Sequence, residues 1–125
     1  MNEVPVYRDD DQHAVPHAWR PTIEAICAAL ADLDYQLTVG VPDVGQVSPY
    51  LAEHIRGNVE AYGVTLAPLP AAAWESSVCA WQGEHWSALI DLWSVEEGAI
   101  DLVLEIHVRE FGGRFAFHVH MVYVP

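Results

Sequence analysis

From Cys79 to the C-terminus, apolar and polar residues alternate along four runs separated by short breaks containing glycine. A period of two predicts half-buried β-strands. The breaks set the pairing. Gly83-Glu84, with glycine first, suits a two-residue type II′ turn and places Trp81 opposite Trp86 and Cys79 opposite Ala88. Glu96-Glu97-Gly98 suits a three-residue loop with Gly98 left-handed, pairing Leu92 with Leu102 and Ile90 with Leu104. Gly112-Gly113 supplies the last tight turn and pairs Val108 with Phe117 and Ile106 with Val119. These registers agree on one apolar face running through Cys79, Trp81, Trp86, Ala88, Ile90, Leu92, Leu102, Leu104, Ile106, Val108, Phe115, Phe117, Val119, Met121 and Tyr123. A one-residue slip in any hairpin breaks that continuity, so the pattern predicts a four-stranded antiparallel meander.

Upstream the period changes. Ile23, Ile26, Cys27, Leu30 and Leu33 recur at three- and four-residue spacing behind Pro21, a residue suited to a first helical turn. Ser48-Pro49 reads as an N-cap followed by a first helical residue, Leu51, Ile55, Val59 and Tyr62 form one row, and Gly63 ends the helix. Between the two helices, residues 35–39 alternate like a short strand, and 64–70 read as an extended edge piece broken by Pro68 and Pro70. Pro5, Pro16 and the Asp9-Asp10-Asp11 run predict an irregular arm over residues 1–19, leaving 20–125 as one domain. The predicted class is α+β, with two N-terminal helices packed on one face of the four-stranded meander.

The opposite face of that sheet collects the polar groups: Asp91, Trp93, Asp101, Glu105, His107, Arg109, His118 and His120, interspersed with Val103, Val122 and Val124. The registers set Trp93 against Asp101, His107 against His118 and Glu105 against His120. Paired side chains on neighbouring strands lie close enough for histidines and a carboxylate to approach metal geometry. However, H-x-H on a strand arises readily by chance, and no metal or other cofactor is expected. The plainer reading is a solvated or protein-binding face. Catalytic motifs are absent: the chain has no G-x-S-x-G, P-loop, G-x-G-x-x-G or H-E-x-x-H, and no catalytic residue is assigned. An acid–base pair of Asp91 with His107 or His118 remains open to a small enzyme, and His13 and His17 on the arm are weaker metal candidates.

Charge narrows the partners. Eighteen Asp and Glu against five Arg and no Lys give a formal net charge of -13. That field repels nucleic acid and anionic membranes and draws basic protein surfaces. Cys27 and Cys79 sit apart, on the helical stripe and the alternating strand, and read as reduced core thiols, which places the expected location in the cytoplasm. Residues 1–20 hold no apolar run, so neither a signal peptide nor an anchor is expected there.

The segments Tyr62-Gly63-x-x-Leu66-x-Pro68-Leu69-Pro70, Trp74-x-Ser76-Ser77, Trp86-Ser87-x-x-x-Asp91-Leu92-Trp93-Ser94-x-Glu96-Glu97-Gly98-x-x-Asp101-Leu102 and the Val122-Tyr123-Val124-Pro125 end resemble a small uncharacterised bacterial domain family. The resemblance implies a free-standing bacterial domain of unknown function, similar in size and acidity to immunity proteins that neutralise toxins, and carries over no catalytic residue. The order of elements is also similar to the cystatin and NTF2-like architectures, an analogy of fold alone. The function expected is therefore a non-catalytic acidic binding protein of the immunity or inhibitor kind, meeting a basic protein surface through Asp91, Trp93, Asp101, Glu105, His107, Arg109, His118 and His120. The alternative is a small NTF2-like enzyme or ligand-binding domain with a pocket between sheet and helices.

Overall fold

The two prolines open the two helices as expected. In a computed structural model describing residues 3–125, α1 spans Arg20–Ala31 and α2 spans Pro49–Tyr62. The Ser48 hydroxyl accepts the Leu51 N–H at 3.1 Å, and Gly63, at φ 86°, closes α2 by donating to the Val59 carbonyl. Ile23, Ile26, Cys27 and Leu30 of α1 and Ile55 and Val59 of α2 point into the core. Leu33 does not join them. The helix has ended at Ala31, and Leu33 turns outward at φ 65°.

The sheet has five strands, not four, in the order β1 (Gln12–Ala14), β2 (Val78–Trp81), β3 (Trp86–Ser94), β4 (Gly98–Phe111) and β5 (Arg114–Tyr123). All neighbouring strands are antiparallel. The extra strand comes from the segment read as an irregular arm. Three residues are too few for alternation to reveal, but they pair along the open edge of β2, with His13 opposite Cys79. The rest of that segment is also tied down. Val15 and Trp19 are fully buried, the Trp86 indole N–H donates to the Tyr7 carbonyl at 2.8 Å, and the Arg8 guanidinium lies over the Trp81 and Trp86 rings.

The expected strand over residues 35–39 is a series of turns. The Asp34 carboxylate accepts the Thr38 N–H at 2.9 Å, the Thr38 hydroxyl at 2.8 Å and the Val39 N–H at 3.0 Å, offering the backbone a local alternative to a ladder. Tyr35 and Leu37 still face inward, which is the alternation the sequence displays. The amides of Thr38 and Val39 hold the Asp34 carboxyl below the usual aspartate range. A carboxyl depressed in the folded state adds stability that is fully present above its unfolded value and is lost as the pH falls through the folded one. Urea midpoints of the native chain and Asp34→Asn should therefore differ at pH 7 and converge below about pH 4. A gap independent of pH would mean that the ionised form contributes nothing.

Most of the predicted registers hold: Trp81 pairs with Trp86, Cys79 with Ala88, Ile90 with Leu104, Ile106 with Val119 and Val108 with Phe117. Two irregularities alter the rest. Near the β3–β4 loop, Asp91 pairs with Val103 and Trp93 with Ala99, so three β4 residues face Leu92 and Trp93 is not opposite Asp101. Between β4 and β5, Glu105 pairs with Met121 and Ile106 with Val119, leaving His120 as a bulge residue. Beyond this bulge, inside and outside exchange. Val122 meets Leu104 and is fully buried, while Tyr123 moves from the expected core face to the outer one, where its hydroxyl reaches Glu105. Met121, now paired with Glu105, stays partly buried against the core cluster.

Trp19, Ile23, Ile26, Leu30 and Ile55 meet Trp86, Ile90, Leu104, Ile106 and Val108 in one continuous apolar cluster. That cluster fills the space between the helices and the sheet. The free edge of β5 is partly closed as well: Phe117 exchanges backbone hydrogen bonds with Asp43 and Gly45, and the Asn58 amide donates to the Val122 carbonyl at 2.8 Å.

Candidate functional site

The outer sheet face, away from the helices, gathers its ionisable groups around His107. Strand alternation puts Glu105 and His107 side by side on β4. Glu105 Oε2 lies 2.7 Å from His107 Nε2, and the Tyr123 hydroxyl donates to Glu105 Oε1 at 2.7 Å. The bulge brings His120 over the His107 ring, with centroids 4.2 Å apart and planes 15° from parallel. His85, from the β2–β3 hairpin, stacks on His107 at 4.3 Å and 30°. Three imidazoles thus form a column beside one carboxylate.

The electrostatics follow from these contacts. Burial pushes the Glu105 carboxyl up, but the hydrogen bonds from His107 and Tyr123 outweigh it and hold the group below the usual glutamate range. The Tyr123 phenol is pushed up, chiefly by its hydrogen bond to Glu105. His85 is pulled down, first by burial and then by the nearby His107 and Arg109, which favours a neutral ring in the column. Glu105 and His107 are mostly shielded, with side chains 16% and 21% exposed, whereas His120 is open to solvent. One ligand atom from each of Glu105, His107 and His120 lies within 4.8 Å of the other two.

The remaining predicted site residues are dispersed. His118 pairs with His107 as expected, yet its ring lies against Gly45, where even a methyl group would come within 2.6 Å of Nδ1. It stands outside the cluster. Asp91 and Asp101 line a separate hollow of about 380 Å³ with Ser76, Ile100, Val103 and Val124. Trp93 sits at the end of β3 with its ring against Gly98. Arg109 pairs with Ala116 on the outer face, close enough to His85 to influence its titration.

Sequence reasoning overlooked two members of the constellation. His85 was within its reach, because the alternation that buries Trp86 turns His85 outward. Tyr123 was not, because only the bulge moves it to this face. The cysteines take no part: Cys27 and Cys79 are free and buried, and burial pushes their thiols up to about 12 and about 11. Among the described residues, no helix is long and apolar enough to cross a membrane.

Residues 27–125 match the model of one protein family, described as Domain of unknown function (DUF7668). No curated protein matches the chain, and no solved structure does.

Proposed function

We propose that this chain, which belongs to the DUF7668 family, is a cytoplasmic, non-catalytic binding protein whose outer sheet face docks on a basic protein surface, as a bacterial immunity protein covers a toxin. The observation that carries this reading is where the functional groups lie. They sit on an uncovered sheet face, while the space where a substrate pocket would open between sheet and helices is filled by apolar side chains. The net charge of -13 supports it by favouring encounter with cationic partners. On this reading, Asp91, Asp101 and Glu105 steer the approach, and Trp93, with the histidine column of His85, His107 and His120, supplies the planar surfaces that anchor it.

The test begins with a partner captured from the native cell and continues with binding kinetics at two salt concentrations. Asp91→Asn and Asp101→Asn should slow association and flatten its salt dependence. Trp93→Ala should speed dissociation and cost about 2 kcal/mol of affinity as a buried anchor. An affinity indifferent to all of these substitutions would remove this face from the proposal.

A further inference from the structure

We infer that Glu105, His107 and His120 form a binding site for one divalent transition-metal ion of the zinc class. The inference rests on the juxtaposition of three ligand atoms within 4.8 Å of one another, and it is independent of any protein partner. Zinc accepts imidazole nitrogen and carboxylate oxygen at about 2.0–2.2 Å, which sets ligand atoms roughly 3.3–3.5 Å apart around a tetrahedral ion. The pair made by His107 Nε2 and Glu105 Oε2 is already closer than that, at 2.7 Å. An ion entering between them takes the place of the shared proton, and neutral His107 then carries its one proton on Nδ1. His120 completes the set by a modest closure.

Two features build the site beyond proximity. The Tyr123 hydroxyl holds the other oxygen of Glu105 at 2.7 Å, the outer hydrogen bond that orients a metal-binding carboxylate. The β-bulge decides where His120 lies relative to His107. In a regular ladder the residue paired with Glu105 would be His120 itself; in this chain Met121 takes that pairing and His120 is displaced over the His107 ring.

The column is nevertheless arranged for stacking rather than coordination. With the rings of His107 and His120 only 15° from parallel, their lone pairs run side by side and do not converge on a point. Binding therefore requires the His120 ring to swing, which its exposure allows. Three protein ligands leave a fourth position for water. Two imidazoles in the set disfavour calcium and magnesium, which prefer oxygen.

The experiment uses the full chain, stripped with a chelator and titrated with zinc chloride by calorimetry, while NMR follows the histidine ring nitrogens. The expected result is saturation at one equivalent, with the largest shifts at His107 and His120 and loss of the stacking contact between them. His120→Ala and Glu105→Gln should abolish saturation. Tyr123→Phe should weaken binding by about 10-fold or more, the usual effect of losing an outer hydrogen bond. His118→Ala and His54→Ala should leave the isotherm unchanged, and calcium chloride should give none. Circular dichroism checks the fold of each variant, and exposed His120 gives the cleanest one. No saturation below about 1 mM zinc, a millimolar constant being the weak end of the affinity scale, would overturn the inference. So would saturation that survives His120→Ala or disappears with His118→Ala.

Discussion

Trp19→Ala should lower the free energy of unfolding by about 3–5 kcal/mol, the usual cost of removing a large buried aromatic side chain. Urea denaturation at pH 7 would measure it. Trp19 is fully buried, with its ring edge-on to Trp86, Phe115 and Phe117 at centroid distances of 5.4, 5.5 and 6.2 Å. One term opposes the loss. The indole Nε1 is buried and has no hydrogen-bond partner among the described residues, so truncation also relieves an unsatisfied donor. Trp19→Phe separates the two contributions, because it removes the orphan N–H while keeping an aromatic ring, and it should cost clearly less than alanine. A loss within about 0.5 kcal/mol for alanine, the range of ordinary surface changes, would mean that the segment before α1 rests on the core without being part of it.

That prediction runs against the boundary drawn from sequence, and the reason is physical. Prolines and aspartates argue against regular structure in residues 5–16, and most of that stretch is irregular. Irregular backbone is not the same as loose backbone. The segment is held by one short strand, by Val15 and Trp19 in the core, and by Arg8 over two indoles. None of these contacts leaves a periodic trace.

The meander was legible for the opposite reason. Glycine marks each of its turns, and Gly83, Gly98, Gly112 and Gly113 all adopt the positive φ that their turn types demand. Once the turns were placed, alternation carried the pairing outward from each until an irregularity intervened. Neither bulge has a glycine to announce it. Polar and apolar residues still alternate through the bulge in His118-Val119-His120-Met121, and the apolar Val122, Tyr123 and Val124 that follow do not reveal which face each takes. The same limit applies to the outer face. Glu105, His107 and the outward direction of His85 follow from alternation, whereas the stacking of His120 and the recruitment of Tyr123 require the extra residue.

The bulge can be tested directly with two valines. Regular alternation sets Val122 and Val124 on the same outer face, so Val122→Asp and Val124→Asp would then be equally mild. In this chain they differ: the bulge turns Val122, still within β5, to a fully buried place opposite Leu104, whereas Val124 lies past the strand's end at Tyr123 and is 55% exposed. Aspartate at 122 would place a carboxylate in apolar surroundings, where it must either stay charged without a partner or be protonated, and either choice costs several kcal/mol. Its α2 neighbour Asn58 already donates to the Val122 carbonyl, so rescue by that amide would break an existing hydrogen bond. Val122→Asp should therefore destabilise the fold by about 3 kcal/mol or more, the scale of an uncompensated buried charge. The loss should shrink as the pH falls and the new carboxyl is neutralised, because its folded value is raised above the unfolded one. Val124→Asp should stay within about 0.5 kcal/mol of the native chain. Equal effects at the two positions in urea denaturation would mean that β5 runs without the bulge. His120 would then lie directly opposite Glu105, and the histidine column would not form as described.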